Sequence, residues 1–173
     1  QGAPQSGPVC PFCKIATKQL QSVILYEDAI MMAVLDIRPA TKGHTIVFPK
    51  QHVASFTSLS SDHAAQLMPL AQQFVGILEE VEGCVGVNVL VAQGSAAGQQ
   101  LDHVLLHVIP RYKDDGLRFS WEGKPTTTEE LQTLFQQLQP KLASLRAKQT
   151  AAEPPPSPSP VFGEDDAEPA ADF

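Results

Sequence analysis

Residues 103–111 read HVLLHVIPR, and this run constrains the chain more than any other. On a β-strand successive side chains face opposite ways. Val104, Leu106 and Val108 then form a wholly apolar face, and His103, Leu105 and His107 form the other, spaced about 6.5–7 Å per step. A strand with one apolar face belongs to a sheet that is covered on that side. The same run read as a helix would put the two histidines at i and i+4 on one side, as in HExxH metal sites. Position 104 is Val, however, where such a site needs its Glu. The Val/Leu/Ile content and the stop at Pro110 favour the strand.

Four further runs carry strand character. SVILYED and IMMAVLDI are joined by a turn at Glu27-Asp28, HTIVFPK ends at Pro49, and VGVNVLVAQ leads into the glycine-bearing loop GSAAGQQ. Helical signals are fewer. CPFCKIATKQL opens a short helix. Ser60-Ser61-Asp62 offers caps for a long helix over 62–82, stopped by Gly83, in which Pro69 predicts a kink or a late start. Thr126-x-x-Glu129 reads as a capping box for a last helix over 127–148, which contains Pro140. Strands with interspersed helices predict an α+β domain built on an antiparallel sheet. We expect an arm over 1–9, one domain over 10–149, and a Pro-rich acidic tail over 150–173 of disordered or polyproline type.

Composition excludes some functions. A net charge of -7 with scattered Lys and Arg argues against a nucleic-acid face, which needs clustered cations. No apolar run reaches eighteen residues, so no transmembrane helix is predicted. No targeting signal is legible in QGAPQSGP. Three cysteines do not make a disulfide framework; they fit a reducing intracellular compartment, cytoplasmic or mitochondrial.

Cys10-x-x-Cys13 is half of a tetrahedral zinc site and needs two more N or S ligands. Cys84 follows a helix end without partner spacing and reads as packing. The remaining candidates are the five histidines, His44, His52, His63, His103 and His107.

Taken in order, CPFCKIA, YED, VLDIRPATKGHTIVFPKQHV, GSAAGQ and HVLLHVIPRY resemble the histidine triad (HIT) proteins, and most closely their Hint-like branch with an N-terminal CxxC. The resemblance runs from Cys10 to Tyr112 and continues weakly beyond. It implies a homodimer, a purine nucleotide site and chemistry at the α-phosphate. It also implies a structural zinc held by Cys10, Cys13, His52 and His103. In the nucleotide site, Asp36 would bind the ribose, Ile37 with Val34 and Phe48 would flank the base, and Gln99, Gln100 and His107 would lie by the phosphate.

The departures from the family pattern are two. Ala92 stands where many relatives carry a phosphate-binding Asn. Leu105 stands where the family has its middle histidine, the nucleophile that attacks phosphorus; leucine has no lone pair and no titratable proton. The expectation is therefore a catalytically inactive HIT protein, an accessory or structural subunit of a larger assembly, whose site either retains weak purine-nucleotide binding or is closed. The alternative is an active purine nucleoside phosphoramidase or dinucleotide hydrolase.

Overall fold

In the computed structural model, residues 10–120 and 123–150 are described, with side chains through residue 145. They fall into two compact units that divide after Phe119.

The first unit follows the α+β expectation. Its elements are α1 (Pro11–Ala16), β1 (Ile24–Glu27), β2 (Met31–Leu35), β3 (Thr45–Pro49), α2 (Ser61–Glu82), β4 (Gly86–Val91) and β5 (Leu106–Arg111). All strand pairs are antiparallel, in the order β1-β2-β3-β5-β4. Asp28 makes the β1–β2 turn, its carboxylate accepting from the backbone N–H groups of Ile30 and Met31. Short 3-10 turns at Phe56–Ser58 and Ser95–Ala97 carry no sequence signal that foretold them.

β2 and β3 are buried on both faces because helices cover both. On one side α2 presents Leu67, Leu70, Phe74 and Leu78 to Met31, Ala33 and Val47 and to the apolar row Val104, Leu106 and Val108. On the other side Phe12 and Ile15 of α1 pack on Met32, Val34, Ile46 and Phe48. Each such side chain contributes about 1.5–3 kcal/mol by leaving water.

The long helix begins as predicted. The Ser60 hydroxyl accepts from His63 N–H, and Gly83 closes the helix in the left-handed region at φ 60°. Pro69 neither delays nor interrupts it: the helix runs from Ser61 to Glu82. The proline removes one N–H donor, and Leu67, Leu70 and Ala71 around it are all buried, so packing holds the backbone through the gap.

The last strand is shorter than the sequence suggests. β5 starts at Leu106, and His103 to Leu105 lie ahead of its ladder. The neighbouring strand ends at Pro49, which has no N–H to donate. The chain substitutes other contacts there: Val104 N–H donates to the Val53 carbonyl, and His103 Nε2 lies 2.8 Å from the Pro49 carbonyl. The side-chain alternation persists regardless.

Gly43 enters β3 at φ 83°, where an added Cβ would meet Leu78 Cδ2 at 3.2 Å and Pro110 Cγ at 3.3 Å. Both the backbone angle and the space demand glycine. We expect Gly43→Ala to cost about 1–3 kcal/mol in urea unfolding at unchanged m-value; a loss under 0.5 kcal/mol would contradict this reading.

In the second unit α3 spans Thr128–Thr150. Its capping box sits one residue later than predicted. Thr127 Oγ1 accepts from Glu130 N–H, and Glu130 Oε2 accepts from Thr127 N–H. Thr126 instead donates its hydroxyl to Glu130. Three consecutive threonines before two glutamates allow either register by pattern alone, and hydrogen bonding selects Thr127. The expected tail beyond residue 150 and arm before residue 10 lie outside the described residues.

Candidate functional site

Cys10, Cys13, His52 and His103 come together from three places in the chain. Cys10 is the N-cap residue of α1, and Pro11 at the first helical position sets the turn that brings Cys13 alongside it. His52 follows β3, and His103 precedes β5. Cys10 Sγ lies 3.3 Å from His103 Nδ1, Cys13 Sγ lies 3.3 Å from His52 Nδ1, and Cys13 Sγ lies 3.8 Å from His103 Nδ1. A tetrahedral zinc with Zn–S near 2.3 Å and Zn–N near 2.0–2.1 Å has S···N edges of roughly 3.5–3.6 Å. The three distances bracket that value.

The hydrogen bonding behind the ligands agrees. His103 is 1 % exposed, and its Nε2–H donates to the Pro49 carbonyl, which turns the Nδ1 lone pair toward the sulfurs. Burial holds the His103 imidazole below the usual histidine range, offset in part by the Pro49 carbonyl. Burial, followed by the hydrogen bond and charge of Cys10, pushes the Cys13 thiol up to about 11. A thiolate there is costly without a cation, and a bound metal reverses that balance. These four residues fit a metal ion as a closed set.

Next to this cluster is a cleft of about 540 Å³, a size that suits a small ligand. Each expected nucleotide-site residue lines it: Asp36, Ile37, Gln99, Gln100 and His107, with Leu105 between His103 and His107. Ile37 is 85 % exposed, leaving its side chain free to meet a ligand. Val34 also lines the cleft. Phe48, expected beside the base, is instead fully buried against Phe12 and His103. Gln99 braces the loop that carries it, accepting from Gly94 N–H and donating to the Ala54 and Leu101 carbonyls. Leu105 packs against the Phe12–Ile15 side of the core.

Sequence reasoning missed the role of His44. Its Nδ1 accepts from the Ala40 backbone N–H at 3.1 Å, so its proton is on Nε2. That Nε2–H points at His107 Nδ1, 3.0 Å away. His107 therefore carries its own proton on Nε2, which is not buried and opens to the cleft. Burial lowers both histidines below the usual range, with the Asp36 carboxylate opposing this. Asp36 Oδ2 lies 3.5 Å from His44 Nδ1, and Asp36 Oδ1 accepts from Arg38 N–H.

Asp36, His44 and His107 are close enough to be considered as a second metal group. The hydrogen bonding argues otherwise: both His44 ring nitrogens and His107 Nδ1 are already engaged. The signal that pointed to His44 was its place in KGHT, one residue beyond the glycine that enters β3; its partner became visible only with the fold.

A five-stranded antiparallel sheet that sets a two-histidine row over a cleft, beside a Cys2His2 cluster, defines a histidine-triad architecture. The HIT domain family matches residues 17–114, and the chain belongs to that family. Among its relatives is an adenosine 5'-monophosphoramidase of Schizosaccharomyces pombe, 36 % identical over 134 residues, which cover 77 % of this chain and 98 % of the relative. A histidine triad nucleotide-binding protein from Candida albicans is similar in structure, with a TM-score of 0.72 and 31 % identity over 79 % of this chain and 99 % of that one. So is a zinc-bound histidine triad family protein from Mycobacterium smegmatis, at TM-score 0.60 and 32 % identity, covering 79 % and 96 %.

Proposed function

We propose that this chain binds the nucleoside part of a purine nucleotide non-covalently, holds a structural zinc at Cys10, Cys13, His52 and His103, and does not form a nucleotidyl-histidine. One observation carries the reading: the side chain set between His103 and His107 on the cleft wall is Leu105. A HIT reaction needs a ring nitrogen there to attack phosphorus and expel the leaving group. Leucine supplies neither the bond nor the proton transfer. His107 is a poor substitute, since its cleft-facing nitrogen bears hydrogen and offers no lone pair.

The residues expected around the nucleoside are retained at Asp36 and Ile37, while Ala92 leaves the phosphate end short of a donor. Asp36 is placed to accept from ribose hydroxyls, Ile37 to cover one face of the base, and Gln100 and His107 to donate at the 5′ end. Zinc is supported by the S···N edges, the closed donor set and the zinc-bound relative. The homodimer implied by the family resemblance belongs to this reading, while no partner in a larger assembly is assigned.

The opposing reading is an active phosphoramidase, and the relatives' names favour it. Beside the fission yeast protein, the relatives from Candida albicans and Saccharomyces cerevisiae, 32 % and 33 % identical, carry the name adenosine 5'-monophosphoramidase. One preparation decides between the two readings. Calorimetry with AMP should show binding, and adenosine 5′-phosphoramidate should be released as AMP no faster than in buffer. Turnover that survives in the unmodified protein and is lost in His107→Ala would overturn our reading in favour of the hydrolase.

A further inference from the structure

The same cleft carries information about which ligand it prefers. A phosphate monoester brings about 1.5–2 negative charges at neutral pH. Moving that charge out of water is unfavourable unless cations or several donors meet it. The residues lining the cleft include only two with fixed charge, Asp36 and Arg38, and these are of opposite sign. Asp36 is the half-buried one and sits beside the histidine pair; Arg38 lies on the exposed side of the rim.

The histidines do not make up the deficit. A protonated imidazole would be a strong anion partner, but protonation needs a free lone pair. The Ala40 N–H occupies that of His44, and the His44 Nε2–H occupies that of His107. The chain of donors therefore keeps both rings neutral, and of the pair only the His107 Nε2–H is left to join the uncharged Gln100 amide at the 5′ end. Asp36, His44, His107 and Arg38 are the titratable and charged groups around this pair; His103 lies on the other side of Leu105, committed to the cysteine cluster.

Leu105 and Ala92 complete the picture. Both line the cleft, Leu105 between His103 and His107, and neither side chain can contact an oxyanion by hydrogen bonding. Leu105 joins Phe12, Ile15, Val34 and Ile46 in an apolar wall that favours uncharged ligand surface.

We propose that the cleft is a site for an uncharged purine nucleoside, and that a 5′-phosphate adds nothing to affinity. The inference rests on the nucleoside-binding reading above and narrows it from nucleotides to nucleosides. In this role Leu105 and His44 act as specificity-determining residues: one removes the phosphate's partner, the other keeps His107 neutral.

Calorimetric titration of the full chain with adenosine and with AMP, in the same buffer at pH 7.5, tests it. The expected result is adenosine binding at least as tight as AMP, within threefold or better. AMP binding more than threefold tighter would overturn this proposal while leaving the nucleoside-binding reading in place. Absence of binding by either would overturn both. A second measurement uses His44→Leu, which frees the His107 Nδ1 lone pair beside Asp36. At pH 6 its AMP-to-adenosine affinity ratio should rise severalfold over the parent's. An unchanged ratio in the folded variant would refute the role of His44.

Discussion

Leu105→His should hydrolyse adenosine 5′-phosphoramidate at least roughly 10²–10⁴-fold faster than the parent. The substitution places a ring nitrogen between His103 and His107, on the wall of the cleft. His103 and His107 are fixed by other bonds, the first to Pro49 and the cysteine cluster, the second to His44. The new histidine therefore enters a frame that does not have to be rebuilt. Leu105 is only partly buried, so the exchange costs less than a core substitution would. Steady-state assay of the released AMP is the measurement, and acid-labile, base-stable labelling of the variant by the nucleotide would report the covalent step. Failure of a folded, adenosine-binding Leu105→His protein to turn over would show that Ala92, or the neutral state of His107, also blocks the chemistry.

The second large effect concerns the metal. Stripping zinc with a chelator, or replacing Cys13 by Ser, should lower the melting temperature by roughly 10 °C or more. Structural zinc stabilises small peptides by about 10–16 kcal/mol in apparent binding energy. This domain has its own core, so only part of that is lost on demetallation. A loss of about 3 kcal/mol corresponds to the predicted shift for a domain of this size. The site ties α1, the segment after β3 and the segment before β5 to one point, and removing the metal leaves His103 buried among unpaired thiols. Metal analysis before and after stripping, with a thermal scan of each sample, checks it. A stripped sample with less than one equivalent lost, or an unchanged melting temperature, would remove zinc from the account.

Much of the fold was legible because it is written in short-range patterns. The alternation in HVLLHVIPR set which residues face the core, and Val104, Leu106 and Val108 are buried under α2 as that pattern requires. Ser60 and Gly83 bounded the long helix correctly. What local pattern could not give depends on partners distant in sequence. Where β5 begins is decided by Pro49, some fifty residues away, because the neighbouring strand has no donor to offer at that position. The register of the last helix turned on a choice among adjacent threonines that only hydrogen bonding resolves.

The candidate site divides the same way. Most of its members were nameable from the sequence, and the structure gathers Cys10, Cys13, His52 and His103 into one cluster and sets Asp36, Ile37, Gln99, Gln100 and His107 around one cleft. The protonation of that cleft was not nameable. It follows from the loop between Asp36 and His44 folding back so that the Ala40 amide meets a ring four residues on. A histidine in a sequence has two possible tautomers; only its neighbours choose between them.

His103 to Leu105 precede the hydrogen-bonded part of β5. The first histidine and the nucleophile position thus hang on backbone outside that ladder, while His107 lies within it. Histidine and leucine are related by a change of one base in the codon. A lineage with this architecture can lose its reaction in one mutational step while keeping the metal, the fold and the pocket, and the way back is as short as the way out.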